Sequence, residues 1–193
     1  MKKIYAFDFD GTLTTKDTLI EFIRYAKGSM DLGLGFLRYA HLLVLMKLGL
    51  YPNYKAKQKV FAHFFKDTTL DDFNALCKAF AASSSHLLRH NAIEAINQAI
   101  KEGSEVLIVS ASIDNWVQPF FPQVKVLGTQ IEVIDGKLTG RFMTKNCYGQ
   151  EKVNRILSLH PNRQEYHLTA YGDSRGDREM LAFADESYFK PFR

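Results

Sequence analysis

Residues 3–9, KIYAFDF, form a short β-favouring run that stops at Gly11, as a buried strand entering a tight loop does. From Thr15 to about His90 the pattern changes to long, mostly helical segments with almost no strand signal. They are broken by YPN at 51–53 and KDTTLDD at 66–72, and together they predict an all-helical insertion. Beyond it, NAIEAINQAIKEG carries Ile93, Ile96 and Ile100 at helical spacing and closes on Gly103, a good helix stop. EVLIVSAS (105–112), VKVLGTQIEV (124–133) and YHLTAYGDS (166–174) read as strands, with helical material in EKVNRILSL and REMLAFA. VIDGKLTG reads as a hairpin turning at Asp135-Gly136. Strands alternating with helices predict an α/β fold, a Rossmann-like parallel sheet covered on both faces. Residues 1–14 and 91–193 would form this core, and residues 15–90 a helical cap.

Composition narrows the function classes. A chain of 193 residues that is 46% hydrophobic can bury a sizeable core. Its 25 basic against 21 acidic side chains leave only +4, far from a nucleic-acid-binding signature, and no nucleic-acid partner is expected. Cys77 and Cys147 lack metal or redox spacing and read as thiols of a reducing compartment. Met1-Lys2-Lys3 is followed within a few residues by Asp8, which fits no signal-peptide apolar region, so the expected location is cytoplasmic.

The chemistry gathers at strand ends. In an open parallel sheet, ligands bind outside the carboxyl ends of the strands. Here the first strand ends in Asp8 and Asp10, the second in Ser110, and the strand after the hairpin in Asp173, followed by Asp177; Lys152 opens a helix between them. Each has an ordinary explanation alone: a turn residue before glycine, a strand-ending serine, a solvated lysine, a helix cap. Together, four converging carboxylates would repel strongly unless cations joined them. A hard divalent ion and a lysine meet that need, and an oxygen-only ligand set favours Mg²⁺ over zinc.

DFDGTLT, LIVSAS, Lys152 in GQEKVNRI, and YGDSRGD resemble, in order, the four motifs of the haloacid dehalogenase superfamily of phosphatases. The helical insertion between the first two motifs, and DGKLTG before the lysine, resemble the phosphoserine-phosphatase-like subgroup with a helical C1 cap. The resemblance implies that Asp8 is the nucleophile and Asp10 the general acid and base. It implies that Asp8, the main-chain carbonyl of Asp10 and Asp173 hold Mg²⁺, that Ser110 and Lys152 bind the transferring phosphoryl group, and that Asp177 positions metal waters or Lys152. The implied activity is hydrolysis of a small-molecule phosphate monoester through an aspartyl-phosphate. An acid at position 10 favours phosphate over halide as the leaving chemistry. Receiver domains share the acidic pair and lysine but would place the phosphorylated Asp on a middle strand. A non-catalytic phospho-ligand module would normally lack the nucleophile or the acid, and both are present.

The cap departs from the subgroup. Where phosphoserine phosphatase uses a cap glutamate and a cap arginine on the amino acid, this chain has Asp17 and no clear arginine. NYKAKQKV offers Lys55, Lys57 and Lys59, which do not reproduce a bidentate clamp, so phosphoserine is not the expected substrate. Residues 32–50, LGLGFLRYAHLLVLMKLGL, form a nearly continuous apolar stretch of about membrane-spanning length, yet they contain Arg38, His41 and Lys47. An arginine near the middle of a span costs about 2.5–3.5 kcal/mol. The favoured expectation is therefore a cap helix packed on segments such as VFAHFF and on a partner subunit in a homodimer. The alternative is a membrane-surface element serving a lipid-phosphate substrate.

Overall fold

The computed structural model describes residues 1–193, apart from the side chains of Leu43 and Lys47. Five strands form a wholly parallel sheet in the order β3-β2-β1-β6-β7. They are β1 (Lys2–Phe7), β2 (Glu105–Ile113), β3 (Lys125–Thr129), β6 (Tyr166–Gly172) and β7 (Glu186–Phe189). The chain runs from β1 outward through β2 and β3, then returns to the other side of β1 with β6. That reversal puts the topological switch point, where such sheets bind ligands, at the carboxyl end of β1.

The stretch expected as one strand at 124–133 is divided. β3 ends at Thr129, and β4 (Ile131–Ile134) leaves the sheet to pair antiparallel with β5 (Lys137–Phe142). At the break, the Gln130 amide donates to Thr144 Oγ1 (3.0 Å). Asp135 and Gly136 both take positive φ, as the hairpin turn requires. β2 does not stop at Ser110 but continues to Ile113 after a register shift against β3.

Side-chain alternation sorts the sheet's two faces. Ile4, Ala6, Leu107, Val109, Leu168 and Ala170 pack against α6 (Gln150–Leu159) and α7 (Arg178–Phe183) through Val153, Ile156 and Met180. Phe7, Val106 and Ile108 point the other way, toward Ala92, Ile96 and Ala99 of α4 (His90–Lys101). Ile100 falls outside that stripe and is exposed.

Between Thr15 and Arg89 lie α1 (Thr18–Lys47), α2 (Asn53–Phe65) and α3 (Leu70–Ser83). The chain leaves and rejoins the sheet through paired segments. The Thr15 amide donates to Leu87 O, and the Arg89 amide to Leu13 O, both at 2.8 Å. A block of aromatic rings joins insertion to sheet. Phe22 lies 5.1 Å from Trp116, on the short helix α5 (Asp114–Val117), and 5.2 Å from Phe65 and Phe80.

α1 breaks its helical geometry at Gly28, whose φ of +85° suits glycine. Beyond it one side packs inward: Leu32 and Leu42 are buried, Phe36 and Tyr39 pack on the core, and at Gly35 any side chain would strike the Phe64 ring. The expected packing on VFAHFF therefore covers only half of the helix. Met30, Leu34, Leu37, Val44 and Leu48 are exposed on the other side. Among the described residues, no helix is long and apolar enough to cross a membrane.

Candidate active site

The floor of the site is set at the end of β1, where the Asp8 amide donates to Tyr171 O (2.9 Å) and the chain enters a tight turn over Phe9–Leu13. Gly11 sits there at φ +83°, and a Cβ would lie 2.6 Å from Asp173 Oδ2, so both conformation and space demand glycine. The turn brings Asp8 and Asp173 to adjacent strand ends.

Lys152, on α6, is fully buried and donates to Asp8 Oδ1 (2.6 Å) and Asp177 Oδ1 (2.5 Å). The other oxygen of Asp177 accepts from the Asp173 amide (3.1 Å), the Ser174 amide (2.9 Å) and Ser174 Oγ (2.9 Å). Asp177 thus anchors both Lys152 and the turn after β6. Burial would raise its carboxyl, but the Lys152 ammonium and these donors hold it below the usual range. Burial would likewise lower Lys152, yet Asp8 and Asp177 hold it charged well above its ordinary value. Asp8 is left with the larger burden: burial pushes it up to about 7 despite Lys152.

Asp8, Asp173 and Asp177 can each offer an oxygen within 4.8 Å of the others. Both oxygens of Asp177 are committed to Lys152 and to the turn after β6. Among the described residues, Asp8 keeps Oδ2 without a donor and Asp173 accepts only a long bond from Thr12 Oγ1 (3.5 Å) at Oδ1, so Asp8 and Asp173 are the carboxylates best placed to meet a cation. Burial raises Asp173 as well, and the Arg193 guanidinium pairs with its Oδ2. A buried, cation-seeking, all-oxygen set of this kind fits a hard divalent ion.

Asp10 turns the other way. Its Oδ1 accepts from the Thr18 amide (2.7 Å) and Thr18 Oγ1 (2.6 Å), and its Oδ2 from Ser112 Oγ. Thr18 is the first residue of α1, and its Oγ1 also accepts from Trp116 Nε1 (3.2 Å). The Asp10 carboxylate therefore stands outside the Asp8–Asp173–Asp177 group, and only its main-chain carbonyl is left for the expected metal contact. Ser110 is buried, its Oγ accepting from the Ser112 amide (3.0 Å).

These groups meet in a cavity of about 370 Å³ lined by Asp8, Asp10, Ser110, Lys152 and Asp177 on the sheet side. The insertion supplies the opposite wall: Leu19, Ile20, Phe36, Met46, Ala56 and Val60, with Asp17 and Lys57. Asp17 caps α1, accepting from the Leu19 (3.0 Å) and Ile20 (3.3 Å) amides; the protein packed round it, and then Asp10, raise its carboxyl. Lys57 donates to Ala111 O (2.7 Å), and burial lowers it against the pull of Asp10 and Asp17. Lys55, by contrast, is exposed and outside the lining, as is Lys59. Among the described residues of the lining there is no arginine. An outer cleft of about 880 Å³ shares Asn53, Asn146 and Tyr148 with the cavity.

Sequence reasoning did not find Thr18, Ser112, Trp116, Asn146, Tyr148 or Arg193. Ser112 sits in LIVSAS two positions from Ser110, the spacing that puts alternate strand residues on one face, and that signal could have found it.

The comparisons with known proteins agree with this architecture. Protein CicA of Caulobacter vibrioides is 35% identical over 201 residues, covering 98% of this chain and 86% of that protein. A protein of unknown function from Bordetella pertussis Tohama I superposes with a TM-score of 0.83 at 18% identity, over 97% of this chain and 89% of that one. A substrate-bound phosphoserine phosphatase superposes with a TM-score of 0.63 at 21% identity, over 98% and 86%. At these identities the two superpositions establish a shared fold. The haloacid dehalogenase-like hydrolase profile matches residues 5–182, and the chain belongs to that family.

Proposed function

We propose that the protein is a Mg²⁺-dependent phosphatase acting on a small-molecule phosphate monoester, with Asp8 as nucleophile. The carrying observation is the buried Asp8 held by Lys152 at the cavity floor, with a second, separately anchored carboxylate two residues on. Phosphoryl transfer asks mainly for in-line positioning and charge neutralisation. Asp8 attacks phosphorus as the bond to the leaving oxygen breaks, while Asp10 gives that oxygen its proton. Water then attacks the phosphorus of the aspartyl-phosphate, Asp10 takes the water's proton, and Asp8 returns with release of phosphate. Lys152 and Ser110 bind the phosphoryl oxygens. Mg²⁺, held by Asp8, Asp173 and the Asp10 carbonyl, would supply charge neutralisation at the phosphate. The apolar wall of Leu19, Ile20, Phe36 and Met46 favours an ester whose organic part presents apolar surface, and a lining without arginine among its described residues disfavours a free amino-acid carboxylate.

The test of the proton role is Asp10→Asn. Hydrolysis of an alkyl phosphate should slow by about 10²–10⁴-fold, and that of an aryl phosphate with a good leaving group much less in its first step. An unchanged alkyl-ester rate would exclude Asp10 as the acid.

The metal assignment has a pH signature. In the metal-free protein the Asp8 pKa is raised to about 7, so this group favours the folded state most at low pH, and that contribution is lost as pH rises toward 7. Mg²⁺ needs the ionised carboxylate. Saturating Mg²⁺ should therefore raise the melting temperature by about 5–10 °C near pH 8 and clearly less near pH 5.5. Equal shifts in a thermal scan at both pH values would count against Asp8 as a ligand.

A further inference from the structure

We infer that the outward face of α1 docks the protein on an anionic membrane surface. Met30, Leu34, Leu37, His41, Val44 and Leu48 follow one another at spacings of four and three, which places them on a single stripe. All six are exposed, Leu34 at 61%, Leu37 at 74% and Leu48 at 66%. The stripe runs about 27 Å along the helix, longer than the scattered apolar residues of an ordinary surface. Leu32, Gly35 and Leu42 on the opposite side are committed to the core, so the helix can lie on a surface but not pass through one.

Charge selects the occupant. Residues 15–90 carry eleven lysines and arginines against six acidic residues, a net of +5, whereas the rest of the chain has 14 against 15. Beside the stripe, an open groove between α1 and α2 is lined by Leu34 and Leu37 together with Lys27, Arg38 and His63, and by one acid, Asp31. The Lys27 ammonium lies over the Phe65 ring (5.4 Å). An apolar stripe edged by cations on an in-plane helix is the pattern that binds anionic headgroups. A second copy of the chain would set one strongly basic cap against another, and like charges across an interface oppose association. The stripe faces away from the cavity, and Leu34 and Leu37 line no part of it. The inference does not depend on the phosphatase reading, because binding is measured without turnover.

The test is flotation of the full chain with phosphatidylglycerol-rich vesicles, with pure phosphatidylcholine vesicles alongside. Wild-type protein should float with the anionic vesicles and lose much of that binding at high salt. Leu34→Ser combined with Leu37→Ser should lower the partition by about tenfold or more, and should leave soluble aryl-phosphate turnover unchanged. Lys27→Gln with Arg38→Gln should weaken only the binding to anionic vesicles. Met30→Ser with Leu48→Ser provides a second apolar pair at the ends of the stripe. Wild-type protein that stays at the bottom of the gradient overturns the inference, as does equal flotation of wild type and both leucine-containing pairs. A wild-type dimer in sedimentation velocity that does not float, and that the Leu34/Leu37 pair converts to monomer, would assign the stripe to a second copy instead.

Discussion

Asp8→Asn protein should fold normally and hydrolyse an aryl phosphate more slowly by about 10⁴-fold or more, the size of loss seen when a covalent nucleophile is removed. The fold should survive because the substitution removes a carboxylate that burial already disfavours, pushing it up to about 7, while the amide oxygen can still accept from Lys152. In the absence of Mg²⁺ the variant should melt no earlier than wild type near pH 8, where the native Asp8 must carry its charge. Metal-dependent turnover near the wild-type rate would remove Asp8 from the mechanism. A collapse of the melting temperature would show that its charge holds the fold together.

Lys152→Met should do the opposite, losing activity and stability together. Its ammonium is the shared partner of Asp8 and Asp177, both buried, and methionine fills the volume without the charge. Breaking a buried ion pair from one side costs about 3–5 kcal/mol, which in a protein of this size lowers the melting temperature by about 10 °C or more. The stranded carboxylates can escape only by taking up protons, so their folded pKa values rise. The deficit should therefore shrink as the pH is lowered from about 8 to about 5. Adding Asp8→Asn to Lys152→Met should restore part of the loss, because only Asp177 then remains unpaired. A melting temperature unchanged from wild type at pH 8 would show that the triad carries no such burden.

The contrast between these variants reflects how the site can be read from the chain. Asp8, Asp10 and Gly11 are legible because their constraints are local: a strand must end, and the next turn needs a positive φ at Gly11. β1, β2 and β6 are legible for the same reason, being short apolar runs that close on aspartate or glycine, whereas β7, the exposed run ESYF, carries no such pattern and is not predicted. What holds Asp10 is not local. Ser112 lies 102 residues from it, and Trp116 lies 98 from Thr18, so only the closed fold brings the Ser112 hydroxyl to the carboxylate and the indole to the Thr18 hydroxyl that holds it. Arg193 reaches Asp173 across twenty residues that include a helix and a strand, with no spacing rule to mark it. Among the cap lysines the ambiguity was one of helical phase. α2 turns Ala56, Lys57 and Val60 toward the cavity, leaving Lys55 and Lys59 outside, and the buried run Ala56, Val60, Phe61, Phe64 carries that phase. The 124–133 stretch misled because β-propensity is equally high in the sheet's edge strand and in the hairpin that leaves it.

The aromatic block shared by insertion and sheet bears on how substrate is admitted. Swinging the whole insertion away would break the contacts of Phe22 with Trp116, of Phe80 with Phe120 and of Phe61 with Phe142, at up to about 1.5–3 kcal/mol for each side chain fully exposed. That cost weighs against swinging the insertion as a body. The far end of the insertion has no such anchor: Leu48, Gly49 and Leu50 are exposed, and Met46 and Asn53 beside them line the cavity. Local breathing of that tip against Asn146 and Tyr148, at the mouth of the outer cleft, is the low-cost route in and out. A hinge is then expected in the α1–α2 connection rather than at the paired segments that join the insertion to the sheet. A cross-link between the tip and the Asn146–Tyr148 loop would throttle traffic through the cavity while leaving Asp8, Asp10 and Lys152 where they are.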